Sequence, residues 1–140
     1  MTEAYTVCRN KSILITGGTG SLGNALAPEI LKLGPKRLII FSRDEQKQEQ
    51  MSLRVGRPDI MRFFIGDVRD VDRLTMAMRD VDIVIHAAAL KIVPLLEYNP
   101  FEAIHTNVLG AENVIQASIR AGVAKVMAIS TDKCCYPIRS

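Results

Sequence analysis

The sequence predicts an α/β fold, a three-layer, doubly wound parallel sheet of about five strands in the order 3-2-1-4-5. Three observations predict it. Short apolar runs alternate with longer stretches of helical period, the signature of repeated strand–helix–strand units rather than of a sandwich or bundle. The runs are nearly unbroken Ile, Val, Leu and Phe, as burial on both faces of a parallel sheet demands. A glycine-rich turn joins the first run directly to the first helical stretch.

The runs are "SILIT" at 12–16, "RLIIF" at 37–41, "RFFIG" at 62–66, "VDIVIHAAA" at 81–89 and "KVMAIS" at 125–130. Between the first two, Leu22, Leu26 and Ile30 recur at helical spacing, and Gly34 with Pro35 supplies the stop. Pro28 falls inside that helix, where a missing N–H and a ring clash of about 3 kcal/mol predict a kink or local strain. A second clear helix opens at "NPFE", with Asn99 placed to cap, Pro100 at the first helical position and Glu102 completing a capping box. It continues through Ile104, Val108 and Ile115 toward Gly122. Residues 1–11 read as an N-terminal extension and 12–140 as one domain, truncated before the sixth strand that full versions of such a sheet carry.

At 140 residues the chain is long enough to bury a core without disulfides or metal, and 48% hydrophobic with 24% charged residues is the composition of a globular protein. The net charge of +3 is spread along the chain with no aromatic-rich basic strip, which argues against nucleic acid as a partner. Cys8, Cys134 and Cys135 form no metal-ligand spacing and a poor disulfide framework, so a reducing cytoplasm is expected and no metal. No apolar stretch approaches the roughly 20 residues that cross a bilayer, so no membrane partner is expected.

In "ITGGTGSLG", Gly17, Gly20 and Gly23 are spaced GxxGxxG. Glycines let a backbone turn tightly and approach a pyrophosphate, while the following helix start offers N–H groups and a positive dipole end. Thr16, Gly17, Gly18, Thr19, Gly20, Ser21, Leu22 and Gly23 are therefore the candidate dinucleotide cradle. The second run ends in "FSRDE". Ser42 and Arg43, with Lys47 a turn later, favour NADP, because a basic residue there pairs with the 2′-phosphate. Asp44 keeps NAD possible, but a helix N-cap is the better reading of that residue. After the third run, Asp67 of "GDVRD" stands where a side chain reaches an adenine edge, with a capped turn as the alternative, and Val68 beside it joins the candidate cofactor-binding set. Ala87, Ala88 and Ala89 leave room for a ribose, or else serve tight sheet–helix packing. His86 before them reads as a satisfied core histidine.

Together "ITGGTGSLG", "SRDEQKQ", "MRFFIGDVRD", "HAAALKIVP", "EYNPFEAIHTNVLGAENVI" and "STDK" resemble the extended short-chain dehydrogenase/reductase superfamily and its Rossmann-like domain. More closely, they are similar to the nucleotide-sugar 4,6-dehydratases of the polysaccharide-biosynthesis (CapD-like) group, notably the UDP-N-acetylglucosamine 4,6-dehydratases. The resemblance covers about residues 12–133. It implies a lyase that oxidises a UDP-sugar at C4 with NADP, eliminates water across C5 and C6 and reduces C6, in surface polysaccharide or glycan sugar biosynthesis. An open sheet ending at its fifth strand leaves a hydrophobic edge, so a homo-oligomer is expected, as a family-like assembly or in compensation for missing parts. By the family's pattern Lys133 is the base at C5, Asp132 the acid at the C6 oxygen, and Thr131 a hydrogen-bond partner of the sugar's C4 oxygen. An exposed loop ion pair is the alternative for Asp132 and Lys133. Lys91 is implied at the cofactor or substrate phosphates, with an exposed loop lysine as the alternative, and Asn107 as the helix asparagine near the site, or else a surface amide. Cys134 and Cys135 read as small residues lining the site.

One departure stands out. The superfamily's oxidation step uses the tyrosine of Tyr-x-x-x-Lys, and four positions beyond Tyr136 stands Ser140, not lysine. These 140 residues are therefore expected to be the cofactor-binding portion of such an enzyme, inactive alone. A non-catalytic NADP-binding module and a nucleotide-sugar 4-epimerase remain the alternatives.

Overall fold

The computed structural model describes the backbone of residues 7–88 and 100–130 and the side chains of 7–87 and 109–129. The elements are β1 (Ser12–Thr16), α1 (Ser21–Leu31), β2 (Arg37–Ser42), α2 (Glu45–Val55), β3 (Met61–Ile65), α3 (Val71–Ala77), β4 (Ile83–Ala88), α4 (Pro100–Ala121) and β5 (Lys125–Ser130). The sheet has five strands in the order β3-β2-β1-β4-β5, and the neighbouring strands pair in parallel. Fold class and strand order are those the sequence predicts.

Side chains that alternate along each inner strand separate two cores, one on each face of the sheet. Ile13, Ile15, Leu38, Ile40, Ile83 and Ile85 face one way and pack with Ala27 and Ile30 of α1 and Met51 of α2. Leu14, Ile39, Phe41 and Val84 face the other and pack with Leu74 and Ala77 of α3 and Val114 and Ala117 of α4. Both faces of β1 and β2 are covered, so these strands carry no polar alternation.

The outer strands depart from the expected two-sided burial. β3 is half exposed, with its window shifted to Met61–Ile65, and Val126 and Met127 of β5 are exposed. Among the described residues each has a neighbouring strand on one side only, so its apolar run reports β propensity more than burial. β4 begins two residues inside its apolar run, after Val81 and Asp82; the Asp82 side chain accepts from the Ser12 N–H at 2.9 Å. Pro28 does not end α1. It lies exposed in the last turns, and the Lys32 N–H reaches the carbonyls of Pro28 and Glu29 at 3.3 and 3.2 Å. α4 opens at Pro100 as predicted; the capping role of Asn99 lies outside the described residues.

Candidate functional site

A parallel sheet sends all its strand C-termini to one rim, and the turns that leave that rim build a cleft of about 470 Å³. Its floor is the end of β1. There Gly17 adopts φ +65°, and a Cβ on it would meet the Ala87 carbonyl oxygen at 2.8 Å. Only glycine fits that combination of backbone and contact. The Gly17 N–H donates to the Phe41 carbonyl at 2.9 Å, and the Gly20 N–H closes the turn onto the Gly17 carbonyl at 3.1 Å. Gly20 is the N-cap of α1 and has no side chain to offer, so the first N–H groups of that helix carry no side-chain cap.

Gly18 and Gly23 do different work from the expected cradle. Neither lines the cleft. A Cβ on Gly18 would lie 2.6 Å from the Ile40 side chain, and one on Gly23 would lie 2.1 Å from the Gly18 carbonyl oxygen. These two glycines let helix, turn and sheet close on one another. Ser21 and Leu22 also fall outside the lining, whereas Thr16, Gly17, Thr19 and Gly20 contribute to it.

The far wall comes from β2 and β3. Ser42, Arg43, Asp44 and Lys47 line it. Asp44 caps α2, accepting from the Lys47 N–H at 3.0 Å, which is the N-cap role the sequence suggests. Ser42 Oγ accepts from the buried Gln48 side chain at 2.9 Å. Arg43 reaches across to Asp67 at 3.7 Å, and Arg69 holds the same carboxylate at 2.8 Å. Asp67 also accepts from the Arg69 N–H at 2.9 Å, so it is a turn cap as well as a cleft residue. The hydrogen bonds from Arg69 hold its carboxyl below the usual carboxylate range. Val68 completes this wall, its carbonyl held at 3.0 Å by Asn113 of α4.

At the rim of β4, Ala87 lines the cleft beside His86. His86 is buried, as predicted, and its Nδ1 shares a 2.6 Å hydrogen bond with Thr16 Oγ1. Burial pushes its pKa below the ordinary 6.5. Ala88 ends β4 in register with Ser130; its side chain and that of Asn107, whose backbone lies in α4, are outside the described side chains. Ala89, Lys91, Thr131, Asp132, Lys133, Cys134, Cys135 and Tyr136 lie outside the described residues.

Sequence reasoning missed Phe41, Gly66, Arg69 and Gly110, all of which line the cleft. A Cβ on Gly66 would meet the Phe41 ring at 2.6 Å, and one on Gly110 would meet Val68 at 3.1 Å. Arg69 was legible in "GDVRD" as a cation two residues after Asp67. The two glycines carry no local motif, and only the crossing of elements explains them.

Comparison with known proteins gives this rim a context. The chain is 57% identical over 129 residues to a UDP-N-acetylglucosamine 4,6-dehydratase (inverting) of Campylobacter jejuni, a match that covers 91% of this chain and 38% of the relative. It is 53% identical over 135 residues to a UDP-glucose 4-epimerase of Rickettsia bellii, covering 94% of this chain and 39% of that protein. The chain thus spans about two fifths of the length of either relative. Among solved structures, Pen from Bacillus thuringiensis superposes with a TM-score of 0.78 at 42% identity over 86% of this chain and 37% of its own. A dTDP-glucose 4,6-dehydratase from Streptomyces venezuelae, solved with bound NAD, superposes with a TM-score of 0.71 at 26% identity over 82% of this chain and 38% of its own. A family model described as polysaccharide biosynthesis protein matches residues 13–140. The match takes in the glycine turn, the basic end of β2, the Asp67 turn and the alanine rim together, and on that ground the chain belongs to the polysaccharide biosynthesis protein family.

Proposed function

We propose that these residues are the NADP-binding portion of a UDP-N-acetylglucosamine 4,6-dehydratase-like enzyme acting in the cytoplasm. The observation that carries the reading is the cleft itself: one continuous groove across the ends of β1, β2, β3 and β4, with an uncapped helix start at one side and Arg43 and Lys47 at the other. A dinucleotide is extended and carries a charged pyrophosphate, with a further phosphate at the 2′ position in NADP, and it suits a groove whose floor is backbone and whose end is cationic. The residues present fit it. At Gly17 a Cβ would meet the Ala87 carbonyl oxygen at 2.8 Å, so only glycine lets the floor of the groove turn there with backbone alone facing the ligand.

When bound, the nicotinamide group supplies the hydride acceptance and return that the reaction requires. This chain's residues bind and orient. Thr19, Gly20 and the α1 N-terminus take the pyrophosphate, Arg43 and Lys47 the 2′-phosphate, and Asp67 and Val68 the adenine edge. Lys91 and Asn107 stand with the cofactor set. Thr131, Asp132 and Lys133 follow directly on β5, whose last residue Ser130 pairs with Ala88 at the same rim. Lys133 takes the proton from C5 of the sugar, Asp132 delivers one to the departing C6 oxygen, and Thr131 and Lys91 hold the substrate. A lysine base needs a depressed pKa and an aspartic acid donor a raised one, and a desolvated pocket shifts both in that sense. Self-association accompanies this role.

The 4-epimerase reading has its own support in the Rickettsia relative. A chimera separates the two. When residues 1–140 replace the matching portion of the Campylobacter jejuni relative, UDP-N-acetylglucosamine should lose water to a 4-keto-6-deoxy sugar. A product of unchanged mass would select the epimerase. Lys133→Ala in the chimera should cut the dehydration rate by about a hundredfold or more.

A further inference from the structure

Asn24, in the first turn of α1, has every polar atom of its side chain engaged. Its Nδ2 donates to the Thr19 carbonyl at 3.0 Å and to the Gly20 carbonyl at 3.1 Å. Its Oδ1 accepts from an Arg54 guanidinium nitrogen of α2, thirty residues away. The amide orientation follows from its neighbours, because arginine only donates and a carbonyl only accepts. The Asn24 N–H adds a second bond to the Gly20 carbonyl at 2.9 Å.

In a planar trans peptide the carbonyl and the next N–H point in opposite directions. Drawing the Thr19 carbonyl toward Asn24 therefore turns the Gly20 N–H the other way, and it closes the turn onto Gly17 at 3.1 Å. Drawing the Gly20 carbonyl toward Asn24 turns the Ser21 N–H, the first of α1, away from the helix body. α2 is also the helix that starts at the Asp44 cap beside Arg43 and Lys47. One helix thus lends Lys47 to the cleft and, through Arg54, holds the side chain behind the β1–α1 turn.

We propose that Asn24 and Arg54 are positioning residues for the phosphate-binding turn: Arg54 holds the Asn24 amide, and the amide holds the two carbonyls that set the direction of the turn's N–H groups. The proposal rests on the dinucleotide reading above, and a pair of ligands tells the two apart. NADP presents both the pyrophosphate and the 2′-phosphate, whereas adenosine 2′-monophosphate presents only the second. In calorimetric titration of the full chain, Asn24→Asp keeps the size and the Arg54 contact but removes the amide donors. It should weaken NADP by about tenfold and leave adenosine 2′-monophosphate within about twofold. Arg54→Ala, an exposed change that leaves the core intact, should weaken NADP by about threefold and spare the monophosphate. Equal loss of both ligands, or no loss of NADP in either variant, overturns the positioning role. Failure of the unaltered chain to bind either ligand overturns the dinucleotide reading, and the positioning role with it.

Discussion

On the proposed reading, cofactor choice turns on Arg43. Its guanidinium is largely exposed and only loosely held, 3.7 Å from Asp67, so little has to be broken for it to meet a phosphate. Arg43→Asp should lower NADP affinity by about tenfold or more and leave NAD unchanged or improved, measured by paired titrations. Equal loss of both would remove Arg43 from the 2′-phosphate. His86 makes a prediction of another kind. Burial holds its folded pKa below 6.5, so the unfolded chain takes up a proton that the folded chain refuses. Stability then falls as pH drops through 6.5 and toward the lower folded value. Thermal midpoints should decline between about pH 7 and pH 5, and His86→Asn should flatten the decline. Asp67 acts in a separate window. Its folded pKa is depressed, so its contribution is present above the ordinary 3.8 and is lost only as pH falls below that value.

At the scale of elements, the turn between β1 and α1 is held shut by absent side chains. A Cβ at position 23 would stand 2.1 Å from the backbone oxygen of Gly18, which cannot rotate away as a side-chain tip would. Gly23→Ala should therefore cost about 3 kcal/mol or more in denaturant unfolding. Gly20→Ala is the control: its nearest neighbour is 3.5 Å away, and its expected cost is below about 1 kcal/mol. This difference shows what could be read from the sequence and what could not. The spacing of Gly17, Gly20 and Gly23 announced a tight strand-to-helix turn, but which glycine faces the cleft and which meets protein depends on how closely α1 approaches the sheet. Asp44 and His86 were legible, because N-capping and burial follow from local pattern. The inner strands were legible for the same reason. Asn24, Arg54, Gly66 and Gly110 were not, since each acquires its role from an element thirty or more residues away or from a packing crossing that leaves no periodic trace.

For the whole molecule, the proposed self-association is assigned to the exposed apolar side of α4. Ile115 and Ile119 lie one helical turn apart and are 53% and 74% exposed. Ile119→Glu should lower the apparent mass of the chain in sedimentation at micromolar concentration, and an unchanged mass would move the contact elsewhere. The sheet order has a further consequence, in the timing of synthesis. β1 pairs with β2 on one side and with β4 on the other. The hydrogen bonds that tie it to the second neighbour, Thr16 to His86 and Ser12 to Asp82, each close a loop of 70 residues. As the chain leaves the ribosome, β1, β2 and β3 form half a sheet first, with the apolar flank of β1 open until β4 arrives. The strand at the centre of the finished protein is thus an edge for much of its birth, and β4 of a neighbouring nascent chain presents the same partner in the same register.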